Sequence, residues 1–284
     1  MPRSTRPSAE QLKLSESQCV ISNDRDRGLR KNSSPRMPTR SWRATTSTSS
    51  WSSPGASTTR IGTFESGKSV VTANKALIAA KGTELETLAR QHHVDLIFEA
   101  AVGGGIPILR ALRTSLVGEK IHRVMGIVNG TTNFILSAMT SDGASYDDVL
   151  AEAQRLGYAE ADPTADVEGY DAAAKVTILA ALSFGTPLVG TAIPREGISR
   201  ITADDVAFAT RHGYVIKLIG VAERVGEHSI SMRVHPAMLP SSHPLASING
   251  AFNAVFVEGA KAGPLMMMGR GAGGDPTASA VLGD

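Results

Sequence analysis

Cysteine is almost absent from this 284-residue chain. Cys19 stands alone, which excludes an internal disulfide framework and suits a reducing, cytoplasmic setting. Charge of one sign is also missing. Lys and Arg number 29 against 27 Asp and Glu, a net charge of +2 that implies no pull toward nucleic acid or an anionic membrane. No uninterrupted apolar run reaches membrane-spanning length, and the charged N-terminus carries no apolar signal-peptide core. His122, His212 and His235 are not at metal-ligand spacing, His92 and His93 are adjacent, and a zinc site is not expected. No G-x-S-x-G nucleophile elbow occurs, and residues 1–65 hold no G-x-G-x-x-G dinucleotide turn.

What is present falls into two unlike parts. Residues 1 to about 65 are rich in Ser, Thr, Arg and Pro, and between Pro38 and Arg60 no aliphatic residue is larger than Ala. That segment shows neither helical nor strand periodicity and is expected to be irregular or disordered. From Ser66 onward, short apolar runs alternate with helical patterns. KSVVTA, DLIFEAAV (95–102) and HRVMGIVN read as strands. Helices are expected at KALIAAKG behind an Asn74 N-cap, over Thr83 to His93, at IPILRALRTSL, and at VLAEAQRLG behind a Ser145/Asp148 capping box. YVIKLIGVAERV and HSISMRVHP add strands between Tyr214 and Val257, in a sheet suited to catalysis or subunit contact. Alternating strands and helices predict an α/β fold.

The most acidic stretch runs from Ala153 to Lys175, AQRLGYAEADPTADVEGYDAAAK. Glu160, Asp162, Asp166, Glu168 and Asp171 crowd into it, and Asp171 opens an apolar helix, AAAKVTILAALSF. Asp171 and Lys175 are four apart and share one helix face, so a carboxylate and an amine stand together where an amino acid can bind and a proton can move. Lys75 follows a strand end, the place where ligands collect in parallel sheets, although a solvated lysine at a helix start reads the same way. In FEAAVGGGIP, Glu99 is placed in an apolar strand before Gly103–Gly105. A glycine run there turns carbonyls toward a cation or merely makes a tight turn. NGTTNF (129–134) offers N–H groups and hydroxyls for an anion, or plain N-capping. GRGAGGDPTASA (269–280) is a Gly-rich turn before a small-residue helix, either against a nucleotide or a flexible tail.

Taken in order, GKSVVTANKAL, FEAAVGGGIP, NGTTNF, GYAEADPTADVEGYDAAAK and GRGAGGDPTASA resemble the homoserine dehydrogenase family. The pattern Ala153, Gly157, Asp162-Pro163, Asp166, Gly169, Asp171, Lys175 is similar to that family's signature over its full length, and the likeness covers about residues 66–284. It implies reversible, NAD- or NADP-dependent interconversion of aspartate 4-semialdehyde and homoserine in threonine, methionine and isoleucine biosynthesis. It further implies an incomplete Rossmann-type nucleotide-binding domain (66–115, with 258–284 returning to it) and an α/β catalytic and dimerisation domain (116–257), in a homodimer or homotetramer. By motif, Lys75 and Lys175 match the two catalytic lysines. Tyr158, Glu160, Asp166 and Asp171 match substrate-binding positions. Thr72, Ala73, Asn74, Gly269, Gly271, Ala272 and Gly273 match positions near the nicotinamide half of the cofactor. Glu99, Val102, Gly104 and Ile106 match a sodium- or potassium-type monovalent cation site, mainly through backbone carbonyls.

The departures lie at the ends. Nothing in residues 1–65 reads as a pyrophosphate-binding turn, and the family normally continues past Asp284. Back-translated with GC-rich codons and read one base earlier, TTSTSSWSSPGASTT becomes approximately DDVDVVVELAGGIDHA, a strand-and-turn pattern. This predicts a reading-frame shift upstream of about Thr39, restored between about Arg60 and Ser66. The coding DNA decides it: codons unable to give an Asp/Val-rich second frame sink the idea. Two expectations follow from the missing turn: an active enzyme with low cofactor affinity, or a catalytically inactive fragment that at most self-associates.

Overall fold

A computed structural model describes residues 20–23, 42–45, 63–188, 193–226 and 229–284. Most of the segment up to residue 65, and hence most of the expectation about it, lies outside the described residues.

Two sheets organise the chain. The smaller has four strands in the order β2-β1-β3-β4: β1 (Val20–Asn23), β2 (Trp42–Thr45), β3 (Val70–Val71) and β4 (Leu96–Ile97). β3 and β4 run parallel and are joined by helix α1 (Lys75–Gln91), so they form a βαβ crossover, the repeating unit of Rossmann-type folds. β1 pairs antiparallel with both β2 and β3. Two short strands thus fall where an irregular segment is expected. Four residues are too few for periodicity to be legible, and pairing covers an otherwise open edge of β3.

α1 is one helix, where the sequence suggests two. Gly82 sits mid-helix because the chain approaches there: a Cβ at Gly82 would lie 2.4 Å from Leu188 Cδ1. Asn74 caps it as expected, its Oδ1 accepting from Leu77 N at 2.9 Å.

Past α1, the 95–102 strand shortens to β4, and Glu99 begins a 3₁₀ turn, Glu99–Ala101. Glu99 is therefore not a strand residue. Its carboxylate accepts from Leu109 N (2.8 Å) and Arg110 N (2.6 Å), at the start of helix α2 (Ile108–Arg110), which continues as a π-helical turn, Ala111–Ser115. A buried carboxylate needs donors, and a helix start offers unpaired N–H groups, so the chain leaves the strand to bring them together.

The larger sheet is antiparallel, in the order β7-β6-β5-β8-β9. Its strands are β5 (Ile121–Ile127), β6 (Tyr214–Arg224), β7 (Ile230–Pro240), β8 (Phe252–Gly259) and β9 (Gly263–Arg270). Helices α3 (Gly130–Asp142), α4 (Tyr146–Arg155), α5 (Thr164–Val167) and α6 (Tyr170–Phe184) follow β5, and α7 (Ala203–Arg211) precedes β6. α6 lies directly on the sheet, since a Cβ at Gly220 would meet Val176 Cγ2 at 2.2 Å. One apolar core joins both parts, with Val70, Ile78, Val124, Val176 and Ile178 in the same cluster. Helix α8 (Gly274–Gly283) follows β9 and returns toward the first sheet, where Val281 packs with Val71.

Candidate active site

The loop after β5, the start of α1 and the start of α6 converge. Asp171, in the first turn of α6, takes Lys175 Nζ on Oδ2 at 2.7 Å and Lys75 Nζ on Oδ1 at 3.0 Å. The Asp171–Lys175 pair is the helix-face neighbour pair that the spacing predicts. Lys75 comes from the other part of the molecule, at the first position of α1. Lys175 Nζ also donates to Val128 O at 2.7 Å, at the end of β5. Asp171 and Lys175 are buried, while the Lys75 side chain is 42% exposed and faces solvent or ligand.

Burial alone would raise the Asp171 carboxyl. The charges of Lys175 and Lys75, with hydrogen bonds from Lys175 and Asn129, outweigh it and hold the group well below the usual carboxylate range. The site therefore carries a fixed carboxylate between two amines.

Asn129 extends this network. Its Oδ1 accepts from Thr132 N at 2.9 Å and so caps α3. Its Nδ2 donates to Asp166 Oδ1 (2.6 Å) and to Asp171 Oδ2 (2.9 Å). Asp166 is raised, chiefly by burial, against the Asn129 hydrogen bond and reinforced by the Asp171 charge. Sequence reasoning found the NGTTNF turn but missed this amide. The signal was there: an Asn N-cap uses its oxygen on the helix and leaves an NH₂ to donate.

The other expected substrate residues, Tyr158 and Glu160, lie on the loop after α4. Tyr158 is 45% exposed and stacks on Phe134 of α3 at 4.8 Å. Thr131 Oγ1 donates to Tyr158 O at 2.5 Å, which ties that loop to α3. Glu160 is exposed, and its backbone carbonyl accepts from Gln154 Nε2 at 3.1 Å. It takes no part in the hydrogen bonds that join the two lysines.

The proposed cofactor residues form two turns. Thr72 is buried at the end of β3, Asn74 N donates to Thr72 Oγ1 at 3.1 Å, and Lys75 N donates to Ala73 O at 3.0 Å. This tight turn delivers Lys75 to the helix start. In the second, Gly269 lies near the end of β9 beside Ile106, and Gly271, Ala272 and Gly273 lead into α8. Gly105 N donates to Arg270 O at 3.2 Å. At Gly104 (φ +54) a Cβ would lie 2.6 Å from Gly271 O, so only glycine lets the Gly103–Gly105 turn touch this loop.

For the expected cation residues, the Glu99 carboxylate is committed to the α2 N–H groups. The Ile106 and Glu99 carbonyls accept from Ile108 N (2.8 Å) and Val102 N (3.3 Å), and each keeps a second lone pair. Gly103 (φ +75) and Gly104 turn their peptide planes within this stretch. Main-chain carbonyls, not the Glu99 carboxylate, are therefore the oxygens this stretch leaves for a cation. Among the described residues, no group of three or more His, Cys, Asp or Glu is placed to hold a metal ion, and no helix is long and apolar enough to cross a membrane.

Fold and site together define a mixed α/β protein: a βαβ remnant of a nucleotide-binding domain feeds one lysine into a lysine–aspartate centre on an antiparallel-sheet domain. The homoserine dehydrogenase family model matches residues 107–284. Homoserine dehydrogenases of Corynebacterium glutamicum and Mycobacterium tuberculosis are 59% and 58% identical over 228 residues. The match covers 79% of this chain and 51% and 52% of theirs. The crystal structure of a homoserine dehydrogenase from Thiobacillus denitrificans superposes with a TM-score of 0.79 at 51% identity, covering 81% of this chain and 53% of that one. A hyperthermophilic archaeal homoserine dehydrogenase in complex with NADPH gives 0.70 at 34%, covering 84% and 68%. The chain belongs to the homoserine dehydrogenase family. It spans about half the length of the bacterial relatives it matches.

Proposed function

We propose that this chain interconverts L-aspartate 4-semialdehyde and L-homoserine with NADPH or NADH. The observation that carries this is the Lys75–Asp171–Lys175 centre, assembled from two separate parts of the chain. A bound reduced nicotinamide supplies the hydride. The lysine ammonium groups hold the aldehyde oxygen and provide the proton that balances the developing alkoxide. Asp171 keeps both amines in place. Because both of its oxygens face lysines, its role is to position them, and the substrate ammonium is left to Asp166 and Glu160, with Tyr158 lining the pocket. Asn129 holds Asp166 and Asp171 at a fixed separation.

On this reading the Thr72–Asn74 turn and the Gly269, Gly271–Gly273 loop would hold the cofactor's nicotinamide half. Residues 66–115 and 258–284 form the nucleotide side, and residues 116–257 the catalytic and dimerisation side. Carbonyls of the Glu99–Ile106 stretch would hold a sodium or potassium ion. The working form is a cytoplasmic homodimer or homotetramer. The inactive-fragment alternative has the assembled centre against it.

The deciding test is NADPH oxidation by the purified chain with aspartate 4-semialdehyde, beside Lys175→Ala. Turnover that is lost in the variant is expected. No turnover from a folded wild-type chain, or equal turnover in both, would overturn the reading.

A further inference from the structure

Asn253, the second residue of β8, is 1% exposed, and neither its Nδ2 nor its Oδ1 makes a hydrogen bond. Such a side chain is rare. A primary amide offers two donors and an acceptor, and burying it unpaired is less favourable than burying leucine of similar size. Its neighbours say what it is for. A Cβ at Gly271 would lie 1.9 Å from Asn253 Nδ2 and 2.6 Å from Oδ1, so the backbone of the Gly-rich loop rests flat on the amide. On the other side, a Cβ at Gly130 would come within 3.6 Å of Oδ1. Gly130 opens α3 next to Asn129, the residue that holds Asp166 and Asp171. One amide is thus wedged between the substrate helix and the loop read as the cofactor contact.

The loop is tied on its far side by the Gly105 N–H to Arg270 O bond. On the Asn253 side the matching bonds are unmade. Gly271, Ala272 and Gly273 (φ +117) carry almost no side chain to resist rotation of their peptide planes. We propose that Asn253 is a positioning residue for the Arg270–Gly273 loop. When the loop closes over the nicotinamide half of the cofactor, the Asn253 amide donates to one loop carbonyl and accepts from one loop N–H, which sets the loop's register against α3. The cofactor part of this inference rests on the function proposed above. The latch itself is a property of the chain.

The test uses Asn253→Leu and the smaller Asn253→Ala in the full chain, read by thermal midpoint, hydrogen exchange of the 271–273 amides, and NADPH affinity by fluorescence. A side chain whose amide is unpaired in the resting arrangement is replaced by leucine without loss of midpoint. The loop, however, loses its partner. Exchange at 271–273 is expected to rise about tenfold in both variants with NADPH bound and to be unchanged without it, and NADPH affinity to weaken by a similar factor. A midpoint drop of several degrees in Asn253→Leu, with loop exchange and affinity unchanged, would assign Asn253 a merely structural role and overturn the proposal. If the wild-type chain binds no NADPH, the function proposed above fails. The midpoint of Asn253→Leu then still decides: a drop of several degrees overturns an amide held unpaired in reserve for the loop, and an unchanged or higher midpoint supports it.

Discussion

At the scale of single residues, the centre is governed by which of two opposed effects wins at each carboxyl. At Asp171 the lysines win over burial, and the group stays ionised. Its folded value lies below its ordinary value of 3.8, so the stability it contributes is present above that value and is lost as pH falls through the acid range below it. Asp171→Asn leaves the Lys175 ammonium buried against Val128 O with no counter-charge. Lys75 is partly solvated and suffers less. The expected loss is about 3 kcal/mol, toward the lower end of the range for breaking a buried pair, with a flatter acid limb in a chemical-denaturation series. The same change should lower kcat/KM by about 100-fold or more, because the proton donor loses its orientation. At Asp166 burial wins, and the carboxyl is raised. The folded state then binds a proton more readily than the unfolded state. The group therefore lowers stability as pH climbs from 3.8 through the raised value, and the penalty persists at neutrality. Asp166→Asn should stabilise by a few tenths to about 1 kcal/mol while raising KM for the amino-acid substrate and leaving kcat nearly unchanged. A variant that loses stability and keeps its KM would refute that assignment.

At the scale of elements, α3 is pinned by a buried lysine that takes no part in the proposed chemistry. Lys217 on β6 is fully buried. Its Nζ donates to Ile248 O (2.6 Å), Asn133 Oδ1 (3.0 Å), Asn249 Oδ1 (3.1 Å) and Ser137 Oγ (3.2 Å). The cage contains neutral oxygens, and burial lowers the amine to about 8. Between about 8 and 10.5 the unfolded chain holds the proton and the folded chain does not, so this group makes stability rise with pH across that window. Lys217→Met removes the slope. It also strands the Asn133 and Asn249 acceptors, at about 1–3 kcal/mol each, so a net loss of roughly 2–4 kcal/mol is expected at neutral pH. Urea melts at pH 7 and pH 9.5 check both parts. Such a cage is invisible to pattern reading. Lys217 stands in YVIKLIGVAERV as one polar residue in a strand correctly placed by its apolar run, and its partners are 31 to 84 residues away. The long strands β6 and β7, the Asn74 and Ser145 caps and the Asp171/Lys175 face were legible because each is set by local spacing. The carboxylate of Glu99, the neighbour of β3 and the continuity of α1 through Gly82 were not. Each is decided by a contact with a distant segment: α2, the β1 edge and Leu188.

At the scale of the whole molecule, the question is how a cofactor can be held. On the proposed reading, the residues matched to the family serve only the nicotinamide half. A Rossmann cradle grips the pyrophosphate at a glycine turn between a parallel strand and a helix start. No such turn can be read in residues 1–65, and the strand beside β3 is β1, which runs antiparallel. Binding energy from the remote half of a cofactor is what orients its reacting ring, so the chain should bind NADPH weakly and turn over slowly. This gives a measurement with a sharp sign. Reduced nicotinamide mononucleotide shares with NADPH the half assigned to this chain in the proposed function and lacks the rest. If only that half is gripped, the two ligands bind within about threefold of one another by titration calorimetry, a difference of under 1 kcal/mol. A dehydrogenase with a complete cradle would prefer the dinucleotide far more strongly. A preference of a hundredfold or more for NADPH would therefore mean that residues 1–65 supply phosphate contacts in a form that no glycine-turn motif announces.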